Sequence, residues 1–217
     1  MKPNLLTLDA RRRQGFTLME MLLVLGLVSL LMAIGIMGTR KNWESQEVKA
    51  SALKLAADLA MAPQLAAKLN RTVEIRFYKF LDPAIAHPMP QFRGYQLLER
   101  VEWEQGPTSI GLRTIPIYEM QRLEGTTIMA NYTRYSTLLP PGQETTYKPG
   151  YDPELQVGQY SYVAVEYRPD GTTNLPPTTG EPWFLTLTVV SWLDSMGLPT
   201  IYQCLGIDPS NGSVRFY

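Results

Sequence analysis

The stretch from Phe16 to Gly38 reads FTLMEMLLVLGLVSLLMAIGIMG, 23 residues with a single charge, Glu20. As a helix it would cover about 35 Å, and a bilayer core is roughly 30 Å thick. The mean hydropathy of the whole chain is still −0.13, so the remainder must be polar. The sequence therefore predicts a soluble domain attached to one N-terminal spanning helix.

The segment before the apolar run is MKPNLLTLDARRRQG, with Arg11, Arg12 and Arg13 set against it. Positive charge on that flank places the N-terminus in the cytoplasm and the domain on the far side of the membrane. A secretory signal would have an apolar region of about 7–15 residues and then a small-residue cleavage site. This run is longer, and Arg40 and Lys41 follow it. A plain signal anchor fits those features better.

Glu20 argues against the plain anchor. An unpaired carboxylate in a spanning segment costs a few kcal/mol, about 2.5–3.5 on insertion scales. The local string is Gly15-Phe16-Thr17-Leu18-Met19-Glu20, with arginines before it and an apolar run after it. That string resembles the type IV prepilin motif of pilins and of the pseudopilins of type II secretion. The resemblance implies cleavage by a prepilin peptidase between Gly15 and Phe16, on the cytoplasmic side, and N-methylation of Phe16. It also implies a role for Glu20 in assembly, facing the Phe16 amine of a neighbouring subunit. Other pilin or pseudopilin subunits, an inner-membrane assembly platform and the membrane itself are then the implied partners. The implied location is the bacterial inner membrane as a single-pass protein with a periplasmic C-terminal domain, and later a periplasmic or surface fibre.

The sequence divides into a leader at 1–15, a transmembrane and assembly helix at 16–38, an amphipathic continuation at 39–70 and a β-rich globular domain at 71–217. Val48, Ala52, Leu55, Leu59, Ala62, Ala66 and Leu69 step by four and three, giving one apolar stripe. Its small members suit a helix lying on a sheet, although a coiled-coil seam has the same period. Pro63 predicts a kink or break near Leu59–Pro63, or two separate helices. Gly26, Gly35 and Gly38 in the apolar run either soften the helix or allow close helix packing.

From Thr72 to Tyr78 the period changes to two, with Val73, Ile75 and Phe77 on one face. Further strands are predicted at 94–103, 126–131, 159–167, 183–191, 200–207 and 213–217. Asn211-Gly212 predicts a hairpin and Asp170-Gly171 a turn. The order predicts an α+β fold, with a long N-terminal helix packed on an antiparallel sheet, pilin-like. Two proline-rich stretches, 81–92 and 133–158, are predicted loops. Tyr132, Tyr135, Tyr147, Tyr151 and Tyr160 in and around the second either form a contact surface or pack on one another.

Scattered segments resemble the minor pseudopilins of the type II secretion H group and FimT-type pilins. They are Arg71–Ile75, Arg122–Ile128, Tyr167–Thr172 and Ile207 with Asn211–Arg215. A narrower resemblance is to the Verru_Chthon cassette protein D family, which has a pilin-type N-terminus and similar size. Many pilins close a C-terminal loop with a disulfide, which Cys204, the only cysteine, cannot do.

No cofactor, metal site or catalytic residue is predicted. The chain has no Gly-x-Ser-x-Gly elbow, phosphate-binding loop or His-Glu-x-x-His. The single His87 lies in a proline-rich loop, and Cys204 reads as a small core residue. Asp208–Ser213 offers oxygen atoms to calcium but lacks the carboxylates of an EF-hand loop, and a hairpin turn explains it as well. The full chain has 20 basic and 20 acidic side chains; without residues 1–15 the count is 16 against 19, a net −3. That charge makes nucleic acid an improbable partner, although a ligand- or DNA-binding minor pilin is the first rival reading. The second rival is an anchored periplasmic domain of other function, an enzyme included.

Overall fold

The computed structural model describes residues 16–85, 87–106, 109–142, 144, 146–148, 155–177, 183–195 and 197–217; the side chains of 34–40, 103–106, 109–110, 146–148 and 194–195 lie outside the described set. Two compact units are present, Met1–Lys41 and Asn42–Tyr217. Helix α1, Leu18–Leu69, contributes to both.

The apolar stripe does what its period predicts within the second unit. Val48, Ala52, Leu55, Leu59, Ala62 and Ala66 are all buried in the main core, and Leu69, the last member, is partly exposed. Pro63 does not break the helix: α1 runs through it to Leu69. A proline inside a helix costs about 3 kcal/mol. Burial of Leu55, Leu59, Ala62 and Ala66 on both sides of it offsets that cost, since each large side chain contributes about 1.5–3 kcal/mol. In the same turn Gln64 Nε2 donates to Ala60 O at 3.4 Å.

Among the described residues ten strands form one antiparallel sheet, consistent with the predicted α+β class. They are β1 Val73–Phe80, β2 Gln91–Gly106, β3 Ser109–Pro116, β4 Gln121–Arg122, β5 Thr127–Met129, β6 Thr146–Lys148, β7 Tyr160–Tyr167, β8 Trp183–Val189, β9 Tyr202–Ile207 and β10 Val214–Phe216. The order is β10-β9-β8-β5-β2-β1-β7-β6, with β3 and β4 also on β2. A short helix, α2 Trp192–Ser195, follows β8. In β1, Val73, Ile75 and Phe77 face the core, as the alternation predicts. The predicted strands all appear, with shifted ends, but β3, β4, β6 and α2 were not foreseen. Strand β6 falls inside the stretch read as the loop 133–158. Its three residues pair with Tyr160–Tyr162 of β7, so the ladder supplies what local alternation did not.

The described tyrosines of this stretch pack on rings outside it, Trp192 of α2 and Tyr78 of β1. Tyr132 and Tyr135 stand edge-on to Trp192 at 5.6 and 5.1 Å between centroids. Tyr160 stands edge-on to Tyr78 at 5.5 Å in a satellite core with Phe80, Leu155 and Val157. The Tyr147 side chain and Tyr151 lie outside the described residues. Both predicted turns form. Gly212 N donates to Asp208 O at 2.8 Å and Asp208 N to Ser213 O at 2.9 Å, joining β9 to β10. Gly171 N donates to Arg168 O at 2.9 Å.

Polar bonds tie α1 to β2 and to the β4–β5 connection. Tyr95 Oη donates to Asp58 Oδ2 at 2.6 Å, Glu124 N to Ser51 Oγ at 3.0 Å, and Thr126 N to Glu47 Oε2 at 3.3 Å. Gly125, between the last two donors, has φ +52°, and a Cβ there would overlap the Glu47 carboxylate. Only glycine meets both demands.

Three of the four buried phenols give the domain an alkaline limit. Burial pushes Tyr78, Tyr95 and Tyr167 well above the usual tyrosine value near 10, and in Tyr95 the bond to Asp58 adds to it. Unfolded, these phenols ionise near pH 10; folded, they keep their protons. Their contribution to stability is therefore intact below about pH 10 and declines as pH rises toward the folded values. Tyrosinate absorbance should rise first from exposed rings, and the buried three should ionise only as circular dichroism is lost. Tyr167 Oη has no hydrogen-bond partner among the described residues, so Tyr167→Phe should move the alkaline midpoint upward. A downward shift would contradict this account.

Candidate functional site

The residues singled out by the sequence cluster at the start of α1. Gly15 lies outside the described residues. Phe16 and Thr17 precede the helix, which begins at Leu18. Thr17 is its N-cap. Thr17 O accepts from Met21 N at 3.1 Å, the first helical bond, and Thr17 Oγ1 accepts from Glu20 N at 3.2 Å. The side-chain bond occupies one of the four donors that a helix start leaves free. Sequence reasoning missed this role for Thr17. The signal was present as Thr17-x-x-Glu20, the spacing of a capping box ahead of an apolar run.

Glu20 lies in the first turn with its side chain exposed. A carboxylate there complements the positive end of the helix dipole. From Phe16 to Ala33 every described side chain is exposed, including Leu18, Met19, Leu22, Leu23, Leu25 and Leu31. In a globular setting one face of such a helix would be covered. Among the described residues no helix is long and apolar enough to cross a membrane. The distal side chains of the predicted span, 34–40, are outside the described set. A Cβ on Gly26 would meet nothing within 4 Å, so within this chain that glycine is not used for close packing.

The remaining candidates have local explanations. His87 Nδ1 lies 3.2 Å from both Met89 N and Met89 O, a bond within its own loop. Asp208 Oδ1 accepts from Ser210 N and Ser210 Oγ at 2.9 and 2.6 Å, and Asn211 Oδ1 accepts from Ser213 N at 2.8 Å. These oxygens hold the β9–β10 turn. Among the described residues no three His, Cys, Asp or Glu side chains are grouped to hold a metal ion. Cys204 is half-buried rather than a core residue; it lines a groove of about 450 Å³ with Tyr135, Thr137, Phe184 and Tyr202. Burial raises its thiol pKa, which keeps it in the unreactive protonated form.

A charge ladder on β1, β2 and β7 was also missed. Glu74, nearly inaccessible to water, accepts from Arg76 Nε at 2.6 Å and faces Arg100 at 3.5 Å; Arg100 also meets Glu166 at 2.6 Å. Arg93 and Asp82 form a second buried pair at 3.4 Å, with Arg93 donating to Leu123 O and Gly125 O at 2.9 and 2.8 Å. Glu74 and Arg76 are two residues apart on β1, but Arg100 and Arg93 on β2 and Glu166 on β7 come from other parts of the chain, so linear spacing could not pair Arg100 with Glu74 and Glu166, or Arg93 with Asp82.

Residues 10–36 match the family model for the prokaryotic N-terminal methylation motif. The chain carries a prepilin-type N-terminus. The match spans the arginines, the Gly15–Phe16 junction, the Thr17 cap and Glu20, and most of the apolar run. It supports a type IV pilin-like protein of the kind that a prepilin peptidase processes, membrane-anchored first and fibre-associated afterwards. Proteins of that kind are structural subunits. Comparison with curated proteins found no match, and comparison with solved structures found none. The prepilin-type N-terminus is thus joined to a sheet domain that these comparisons do not subdivide.

Proposed function

We propose that the chain is a minor, pseudopilin-like subunit of a type II secretion pseudopilus or a type IV pilus-like fibre. It enters the inner membrane by 16–38, with Arg11–Arg13 on the cytoplasmic side and Asn42–Tyr217 in the periplasm. A prepilin peptidase cuts between Gly15 and Phe16, and Phe16 is methylated. The subunit then leaves the membrane by packing 16–38 against the helices of its neighbours, with Glu20 facing a neighbouring Phe16 amine.

One observation carries the reading. The prepilin motif coincides with a capped helix whose every described side chain from Phe16 to Ala33 is uncovered. An apolar helix left bare by its own chain requires lipid or other helices. The rival DNA-binding reading gains nothing comparable: Arg71, Arg76, Arg93 and Arg100 each face a carboxylate.

Co-expression of the full chain with a prepilin peptidase tests the proposal. Intact mass and N-terminal sequencing should show a mature start at Phe16, with one added methyl group. A chain that keeps its first 15 residues under those conditions would refute it.

A further inference from the structure

We infer that the groove beside Cys204 is a binding site for a small aromatic carboxylate, whose ring packs on the groove's rings and whose charge meets Arg134. The inference goes beyond the fibre reading and does not depend on how the N-terminus is processed. The groove has a volume of about 450 Å³. That lies within the roughly 300–1,000 Å³ of small-ligand pockets, which are mostly apolar with a few placed polar groups. Tyr135, Phe184, Leu198 and Tyr202 supply the apolar lining. Leu198 and Tyr202 are 72% and 52% exposed, so the described chain leaves that rim uncovered.

The walls are fixed before any ligand arrives. Phe184 N donates to Thr137 Oγ1 at 2.8 Å, Thr186 N to Ser136 Oγ at 3.0 Å, and Thr186 Oγ1 to Tyr135 O. These bonds pin the segment after β5 to β8 and commit its hydroxyls to the wall. Tyr135 is held at its far end, where its Oη donates to Gly197 O at 3.3 Å and its ring stands edge-on to Trp192. Arg134 lies over that ring, its Cζ 5.8 Å from the centroid. Among the described residues lining the groove Arg134 alone is charged, and no described carboxylate pairs with it. Arg71, Arg76, Arg93, Arg100 and Arg122 each meet a carboxylate of this chain. The groove therefore offers a ligand aromatic edges and one unmatched guanidinium. A guanidinium binds carboxylates through paired N–H donors, and aromatic rings favour other rings edge-on or offset. An aromatic acid satisfies both at once.

Cys204 is the only thiol in the chain and lines this groove, so it reports occupancy. The test alkylates the full chain in detergent with iodoacetamide, reads the rate by intact mass, and adds 3-phenylpropionate in increasing concentration. The acid should slow alkylation to a plateau. 3-Phenylpropionamide, which keeps the ring and loses the charge, should need roughly tenfold more for half protection, the size of one charge-assisted hydrogen bond. Butyrate, which keeps the charge and loses the ring, should not protect. Arg134→Gln, at an exposed side chain, should remove the tenfold preference for the acid and leave the amide unchanged. Tyr202→Ala, at a half-exposed ring on the rim, should weaken acid and amide alike, with circular dichroism confirming that both variants are folded. Absence of protection by the acid at any concentration would overturn the inference. Equal protection by acid and amide in the parent, or a preference that survives Arg134→Gln, would overturn it too. So would butyrate as effective as phenylpropionate, which marks a bare anion contact, or protection only by a peptide that ends in an aromatic residue, which makes the occupant a polypeptide.

Discussion

Glu20→Leu should enter the membrane, lose its leader and then fail to assemble. Leucine in place of a carboxylate makes insertion more favourable by roughly 3 kcal/mol, so the variant should accumulate at least as well as the parent. Its helix start should survive, because the group that Thr17 caps at position 20 is the backbone N–H and not the side chain. What disappears, on the proposed reading, is the partner for a neighbour's Phe16 amine. In an apolar bundle an unpaired ammonium is strongly penalised, and the loss of one member of such a pair costs about 3–5 kcal/mol. That is enough to remove the variant from a fibre in competition with the parent. Fibres sheared from cells expressing both chains, quantified by mass spectrometry, should contain parent and essentially no variant. Incorporation in proportion to expression would show that Glu20 has no part in assembly. Glu20→Asp, which keeps the charge on a shorter stem, should retain part of the incorporation.

Phe77→Ala should be among the most damaging single changes in the Asn42–Tyr217 unit. Phe77 is fully buried at the centre of β1, paired in register with Tyr95 of β2 and Val163 of β7. It belongs to the same core as Leu55, Leu59 and Ala62 of α1. Emptying that position removes the ring's transfer free energy and leaves a cavity, together about 3–5 kcal/mol. Domains of this size are stable by about 5–15 kcal/mol, so the loss should lower Tm by on the order of 10 °C. Thermal unfolding followed by circular dichroism checks it. Leu112→Ala, at a side chain 67% exposed, is the control and should shift stability by less than about 0.5 kcal/mol. A loss at Phe77 no greater than at Leu112 would mean that the helix and sheet do not share one core.

The first experiment probes the start of α1, and the second the core that the later part of α1 shares with β1. Up to Ala33 its described side chains are bare, and from Val48 to Ala66 its stripe is buried against the sheet of its own chain. The same element thus anchors the domain internally at one end and presents an uncovered surface at the other. The polar ties from Glu47, Ser51 and Asp58 belong to the buried end.

Local order determined a large part of this. The prepilin motif, the bare apolar run, the stripe, the alternation of β1 and the two turns at Gly171 and Gly212 are short-range features. Each is decided by side-chain periodicity or by the backbone freedom of one residue, so each can be read from neighbours in the chain. Thr17 belongs with them, since its partner is three residues away. Tertiary structure decided the rest. Pro63 stays within α1 because the core on both sides outweighs its local cost. β3 and β6 exist because β2 and β7 offer them ladders. The fate of Tyr132, Tyr135 and Tyr160 was settled by Trp192 and Tyr78, and the pairing of Arg100 with Glu74 and Glu166 by the order of strands. The physical reason is the same in each case. Hydrogen-bond ladders, ring contacts and buried ion pairs join residues far apart in the chain, and their energies exist only once the sheet has brought those residues together.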